Sequence, residues 1–595
     1  MSILIASPLI FLLPGYAITL AMPWVRRAIA RLGYALVTSV ALGVVVSSGA
    51  VYARLPLGFS LFASLAAVTL LFGLAFRRRI TQVAEEWRDM ARTEWFFVGF
   101  ALLIAVAAAV FIAVPHFNYP WPSHGDEWWS VGTVQNLLSG KSINTHPYLP
   151  IDFPDYKPGF YSYIASVLNL VGADPVSSWA FLPALNVFLV SFVASLFLFG
   201  QTKRSFAGLL LPVFLVALRS DINILGWWFF VPSMFAFFFI LPLLFGMRDW
   251  LRSSSGLGWA ALALGALFLV YLPFGVLAVF ALALSAVFIL DKRRRIFMLV
   301  VILFLIAAGV VMGMALSPYQ VYWQIANFHF SSPLAEKFVS SFFVPAGATV
   351  PDPRHAFLGF LGLPILVLAV IGAWCVRKEK WMYGVLTAFA MGALNLVLLW
   401  ITDVSFLVFY QRNFYLLGVM AAVLAVFGLD WLIGKTMAIR FFKNIVAARF
   451  LVPIIITAVA ICWMFAGYFK LPAGAQLYYL VDRENLAATQ WLRAQPELKG
   501  KTVLADEFTG SIITPLTGLY SKLSLLTSQN IQSVINPLDS LFFLKSCDIK
   551  KDIIRRLAAD IVYSRMPLDC PFLKEIYSST STFIYSTEIT PVPTE

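Results

Sequence analysis

"PSHGDEWWSVGTVQNLLSGK", residues 122–141, follows a long apolar run over 95–115 and opens with two adjacent carboxylates, Asp126 and Glu127. After Asp126 the apolar residues Trp129, Val131, Val134, Leu137 and Leu138 fall near helical spacing, and Gly140 is placed to end the helix. Trp128 and Trp129 suit a membrane–water boundary. The stretch therefore predicts a short interfacial helix that begins with an acid pair. Which side of a membrane it faces depends on the rest of the chain.

The chain has 595 residues, of which 60% are hydrophobic and 12% charged. That balance exceeds what a soluble core can bury and predicts a polytopic α-helical membrane protein. About fourteen nearly uncharged stretches are readable, at 2–22, 33–53, 56–76, 95–115, 177–200, 205–219, 225–246, 257–272, 274–290, 296–316, 357–376, 381–401, 410–433 and 450–469. Those at 205–219, 257–272 and 274–290 are short for a membrane span. The first, from Ser2 to Met22, has no basic region before it and reads as a retained span.

The net charge of +13 raises the question of a nucleic-acid partner, and its distribution answers it. With the N-terminus outside, the cytoplasmic loops hold 23 basic residues against 8 acids, while the outer loops hold 7 against 9 and the tail from residue 470 holds 13 of each. The positive-inside rule accounts for the whole excess, so the charge reports topology and implies no nucleic acid. It places Asp126 and Glu127 outside the cytoplasm. Cys547 and Cys570 lie in the outer tail, where an oxidising compartment permits a disulfide and simple burial is the alternative.

Three regions follow: additional N-terminal spans at 1–94, a core at 95–469 with long outer loops at 116–176 and 317–356, and a soluble tail at 470–595. In the first loop, "KPGFYSYIASVLNLVG" predicts a second short helix. In the tail, "RENLAATQWLRAQ" and "DIIRRLA" read as helices and "TVLAD" and "DIVYSR" as strands, which predicts a small α/β domain.

Each charged residue at the outer boundary has an ordinary explanation. Asp126 and Glu127 suit a helix dipole, Lys157 can snorkel, Arg412 can anchor a span end, and Asp221 can cap one. Together, however, they are chemically complementary. A carboxylate can accept a proton from an attacking hydroxyl, and Lys and Arg can bind a lipid phosphate that accepts charge as it leaves. His124, His329, Arg354 and His355 share the outer loops and are candidate site-lining residues.

"DEWWSVGTVQNLLSGK" followed by "YKPGFYSYIASVLNLVGADPVSSWAFLPALNVFLV" resembles the first outer loop of GT-C glycosyltransferases, particularly the branch with the protein O-mannosyltransferases and aminoarabinose transferases. The shared features are Asp126–Glu127, Gly140, Lys157–Pro158, Gly172 and Pro183, with weaker matches in "SDINILGWWFF" and "QRNFYLLGVM". The three spans before the loop-bearing span at 95–115 depart from that layout.

The resemblance implies a GT-C-like core and an inverting sugar transfer from a polyprenyl-phosphate donor to an extracytoplasmic glycan, lipid or protein hydroxyl. Asp126 would be the general base, Glu127 its partner, Lys157 and Arg412 the lipid-phosphate ligands, and Asp221 an orienter of acceptor or metal. Metal dependence stays open. The expected location is a bacterial plasma membrane, among membrane lipids, with the active site and the tail outside. The competing expectations are a lipid-linked sugar transporter or flippase and a diphosphate-dependent oligosaccharide ligase.

Overall fold

The computed structural model describes residues 3–152, 157–218, 226–251, 253–289, 343–345, 353–402, 404–406, 408, 410–438, 448–465, 480–522 and 542–588. Asp221, His329 and the predicted span 296–316 lie outside the described residues, as does most of the second long loop.

Among the described residues, seven helices are long and apolar enough to cross a membrane, and six shorter apolar helices accompany them. The helices used below are α1 (Ala28–Tyr52), α2 (Leu57–Ala75), α3 (Arg77–Arg88), α4 (Arg92–Asn118), α5 (Gly125–Leu138), α6 (Pro158–Val171), α7 (Leu182–Thr202), α8 (Ser205–Val216), α9 (Ser254–Val270), α10 (Leu272–Ile289), α11 (Pro353–Val376), α12 (Tyr383–Thr402), α13 (Tyr410–Met437), α14 (Ala448–Phe465), α15 (Arg483–Arg493), α16 (Glu507–Thr517) and α17 (Cys547–Leu557). Arg354 and His355 belong to the first turn of α11.

The chain forms two compact units that do not follow sequence order. The first comprises residues 1–114, 156–172 and 182–472 and, among the described residues, is helical apart from the short antiparallel pair β1 (Phe343–Pro345) and β2 (Val404–Phe406). Its centre is α1, which packs against α2, α6, α7 and α9. The link α3 is amphipathic, as its charges predict, and is tied down by Arg31, which is 4% exposed. That guanidinium pairs with Glu86 at 3.0 Å and donates to the carbonyls of Thr19 and Val25, both at 2.7 Å, so the buried cation is neutralised and its donors are engaged.

The second unit comprises residues 115–155, 173–181 and 473–595. Its strands are β3 (Thr502–Leu504), β4 (Tyr520–Ser521), β5 (Ile561–Ser564), β6 (Leu573–Ser578) and β7 (Phe583–Thr587), in the order β4-β3-β5-β7-β6. β3 runs parallel to β4 and β5, and β7 is antiparallel to both β5 and β6. Leu504, Ile554, Leu557, Val562 and Tyr585 fill one side of this domain; Ala488, Leu492, Ile513, Ile561 and Ile584 belong to a second cluster. A disulfide joins Cys547, at the start of α17, to Cys570, with Cα atoms 5.6 Å apart.

Candidate active site

The acidic residues belong to the second unit. His124 caps α5 in an extended conformation, and its Nδ1 accepts the Asp126 amide at 3.1 Å. Glu127 is fully buried; its Oε2 accepts the Ser123 amide at 2.8 Å and the Ser123 hydroxyl at 3.2 Å. This is the geometry of a capping glutamate that reaches back over the first turn. Asp126 is half-buried. The helix ends at Leu138, and Gly140 takes the left-handed conformation (φ 80°) that its position predicts.

Behind the acid pair stands a cluster the sequence did not single out. Tyr148 and His146 are each 1% exposed, and Trp129 meets both rings edge-on, with centroids 5.6 and 4.8 Å away. His146 Nδ1 accepts the amides of Tyr148 and Leu149 at 3.0 and 3.1 Å, and burial pulls its pKa down to about 3. The imidazole is therefore neutral, with its proton on Nε2. Burial raises the Tyr148 hydroxyl well above its ordinary value and the charge of Asp126 adds to the effect, so the phenol stays protonated next to a carboxylate field. The phrase "HPYLP" at 146–150 carried the signal: a His and a Tyr on either side of Pro147, with Pro150 close behind, mark a loop rather than an apolar face.

This loop and the tail share one core. Gln135 donates to the Pro515 carbonyl at 2.9 Å, the Ser521 amide to the Tyr148 carbonyl at 3.1 Å, and α5 packs on α16. Trp128 and Trp129 differ from the sequence expectation: at 0% and 4% exposure they are core residues of this unit, because α5 is covered by protein on its aromatic side.

A cavity of about 380 Å³ opens in the same unit beyond the C-terminal ends of β3 and β5. Asp482, Asp506, Phe508, Thr509, Ser564 and Arg565 line it, and Arg565 pairs with Asp482 at 2.8 Å. From β3 the chain crosses to β4 on one side and then returns past β3 to β5 on the other. The cavity thus sits at a topological switch point, where two helix starts diverge and leave a crevice.

The basic residues belong to the first unit. Lys157 occupies the N-cap position of α6, and Arg412 lies in the first turn of α13. The Lys157 ammonium donates to the Tyr161 hydroxyl at 3.4 Å and stands 5.8 Å from its ring. α6 ends as predicted, on Gly172 in the left-handed conformation (φ 70°). Aromatic contacts through one short segment connect α6 and α13. Phe160 of α6 meets Phe230 at 5.1 Å, and Trp227, three residues earlier, meets Tyr415 of α13 at 5.8 Å and donates its amide to the Tyr415 hydroxyl at 3.0 Å. The structure therefore places both cations at helix starts that flank residues 227–230.

Among the described residues there is no group of three or more His, Cys, Asp or Glu arranged to hold a metal. His124 Nδ1 and Glu127 Oε2 each accept a backbone amide.

One unit of many helices, seven of them among the described residues long and apolar enough to cross a membrane, and one unit with a mixed five-stranded sheet are the parts of a fold that solved structures share. The archaeal oligosaccharyltransferase AglB of Archaeoglobus fulgidus, solved with an inhibitory peptide and a dolichol-phosphate, is similar over 84% of this chain and 75% of its own, with a TM-score of 0.54 and 13% identity. The oligosaccharyltransferase of the same organism in its apo form covers 84% and 76% with a TM-score of 0.52 and 14% identity. Its complex with zinc and sulfate covers 82% and 73%, again at 0.52 and 14%. No family model and no curated sequence matches the chain.

Proposed function

We propose that the protein is an inverting glycosyltransferase that moves a sugar from a polyprenyl-phosphate donor to an acceptor hydroxyl on the outer side of a bacterial plasma membrane. The observation that carries this reading is the position of Lys157 and Arg412 at two helix N-termini. A helix start presents unsatisfied amides and a positive dipole end, which repel a cation and attract an anion. Two cations held there are explained by a phosphate that binds both the amides and the side chains.

In the proposed reaction Asp126 accepts the proton of the acceptor hydroxyl. The acceptor oxygen forms a bond to the anomeric carbon, and the bond from that carbon to the phosphate oxygen breaks. Lys157 and Arg412 stabilise the charge gained by the departing lipid phosphate. Single displacement inverts the anomeric centre. Glu127 holds the turn that presents Asp126, and the cavity beyond β3 and β5 receives the acceptor, with Phe508 as a stacking surface and Asp482, Asp506 and Arg565 as hydroxyl partners.

A second reading keeps this chemistry and changes the donor to a diphosphate-linked oligosaccharide; it is favoured by the likeness to oligosaccharyltransferases. One experiment separates the two. Purified protein in liposomes is supplied with monophosphate-linked sugar or diphosphate-linked oligosaccharide, and the transferred glycan is measured by mass spectrometry. Turnover of the monophosphate donor alone supports the first reading, and turnover of the diphosphate donor alone the second. Passage of donor across the bilayer without transfer would establish a transporter and end both.

A further inference from the structure

At the far end of α13 from Arg412, a cavity of about 780 Å³ opens within the first unit. Its walls come from the end of α7 and the turn after it (Gln201, Thr202, Arg204), the end of α11 (Trp374 to Arg377), the short turn at 379–381, and the last turns of α13 (Phe427 to Lys435). Twenty-three residues separate Arg412 from Lys435, which at 1.5 Å per helical residue is about 35 Å, the thickness of a membrane. The cavity therefore belongs to the opposite leaflet, whichever way the protein is oriented.

Three cations and three tryptophans define its chemistry. Arg204 is held by Asp430 at 2.7 Å. The Arg377 guanidinium lies 3.6 Å from the centre of the Trp374 ring, and the Lys435 ammonium 5.7 Å from that of Trp431. Trp374 is 66% exposed and Trp431 41% exposed, while Trp381 is buried against Phe427. The acids in the lining are Glu379 and Asp430, and among the described residues neither Arg377 nor Lys435 pairs with a carboxylate. Cations at helix ends also favour the dipole, and that alone would explain two charges. It does not explain a formed cavity with tryptophans on its rim.

The cavity walls are held rigidly. A Cβ added at Gly372 would come within 1.8 Å of the Leu424 carbonyl oxygen, and one at Gly428 within 2.0 Å of the Leu368 carbonyl oxygen. α11 and α13 thus cross backbone to backbone just inside the membrane and diverge towards their C-terminal ends. The cleft between those ends is fixed by the crossing rather than by mobile side chains.

We propose that this cavity binds the phosphodiester headgroup of an anionic phospholipid from the leaflet opposite Arg412. Arg377 and Lys435 hold the phosphate, Gln201 and Thr202 offer neutral hydrogen bonds, and Trp374 and Trp431 sit at headgroup level, where indoles are favoured. A basic cleft between helices at the membrane surface matches the recognition of acidic headgroups. The bound lipid would seal the cleft between α7, α11 and α13.

The test uses the full-length protein and needs no transfer activity, so its outcome is independent of the function proposed above. Wild type and the Arg377→Gln/Lys435→Gln double variant are delipidated in detergent, titrated with phosphatidylglycerol, phosphatidylcholine or inorganic phosphate, and followed by native mass spectrometry. Wild type should retain phosphatidylglycerol and prefer it to phosphatidylcholine, and the double variant should bind it roughly tenfold or more weakly, as expected for two cations near a lipid surface. A melting curve in phosphatidylcholine that matches wild type shows that the variant is folded. Should it not fold, Lys435→Gln alone gives the same reading at a smaller effect. Equal phosphatidylglycerol binding by wild type and variant, or no preference over phosphatidylcholine, would overturn the proposal. Displacement of the lipid by inorganic phosphate at equal concentration would overturn the lipid assignment as well.

Discussion

The first turn of α5 and the first turns of α6 and α13 carry opposite charges at the same end of a helix. In α5 the acids suit the dipole, and Glu127 is fully engaged in capping the turn through the Ser123 amide. In α6 and α13 the cations oppose it. An acid at a helix start needs no function to explain it, whereas the proposed function explains the two cations by a lipid phosphate. The two adjacent carboxylates also part company: Glu127 closes the turn through Ser123, whereas Asp126 is half-buried, its charge acts on Tyr148, and the proposed function gives it the proton.

The sharpest way to break this contrast is Asp126→Asn. The amide keeps the shape of the helix start but cannot accept a proton, so transfer should fall by roughly 10²–10⁴-fold with little change in melting temperature. A wild-type rate would return Asp126 to the same capping role as its neighbour.

His146 tests the body that carries the acids. Its folded pKa of about 3 lies below the ordinary value of 6.5, so between those values the unfolded chain binds more protons than the folded one. Stability is therefore fully present above about pH 6.5 and is lost as pH falls towards 3, by about 4 kcal/mol at pH 3.5 for this group alone. In His146→Gln that part of the acid slope should disappear from melting curves recorded between pH 7 and 4. An unchanged slope would show that the ring is not held neutral.

On the cationic side, Lys157→Ala and Arg412→Ala should each weaken donor binding by roughly 10- to 100-fold, the worth of one charge-assisted hydrogen bond. The effect should appear in KM more than in kcat, and Lys157→Arg should recover part of it. Unchanged donor affinity in both alanine variants would make the two residues span anchors.

The smallest effect is expected for Glu127→Gln. Its amide oxygen can still accept from Ser123, so both rate and stability should change little, while Glu127→Ala leaves a buried amide unpaired and should cost about 1–3 kcal/mol in denaturant titration. A rate loss in Glu127→Gln as large as that in Asp126→Asn would erase the distinction between the two acids.

Much of this was legible in advance. The helix over 125–138, its glycine stop, the Lys157–Pro158 start of α6 and the strands at 502–504 and 561–564 all follow from local pattern, because capping, left-handed glycine and apolar periodicity act within a few residues. His146 and Tyr148 were not legible as part of the acid cluster, since burial of a polar ring depends on what covers it. Nor could the sequence separate Glu127 from Asp126, which differ by whether an amide four residues back closes on the side chain.

The sequence by itself determined a chain built for a membrane, its apolar segments and the boundaries of α5 and α6, because transfer of side chains out of water is additive along the chain. It did not determine which of those segments face lipid. α1 and α2 have nearly equal mean hydropathy, 1.9 and 2.1, yet 72% of the apolar window of α1 is buried in protein and only 17% of that of α2. Lipid and protein interior are equally apolar, so hydropathy cannot tell them apart, and small residues that allow close approach decide instead. Only the tertiary structure assembled three separated segments into the second unit, brought Cys547 to Cys570, and opened the cleft at the ends of α7, α11 and α13, because each of these depends on contacts between residues far apart in the chain.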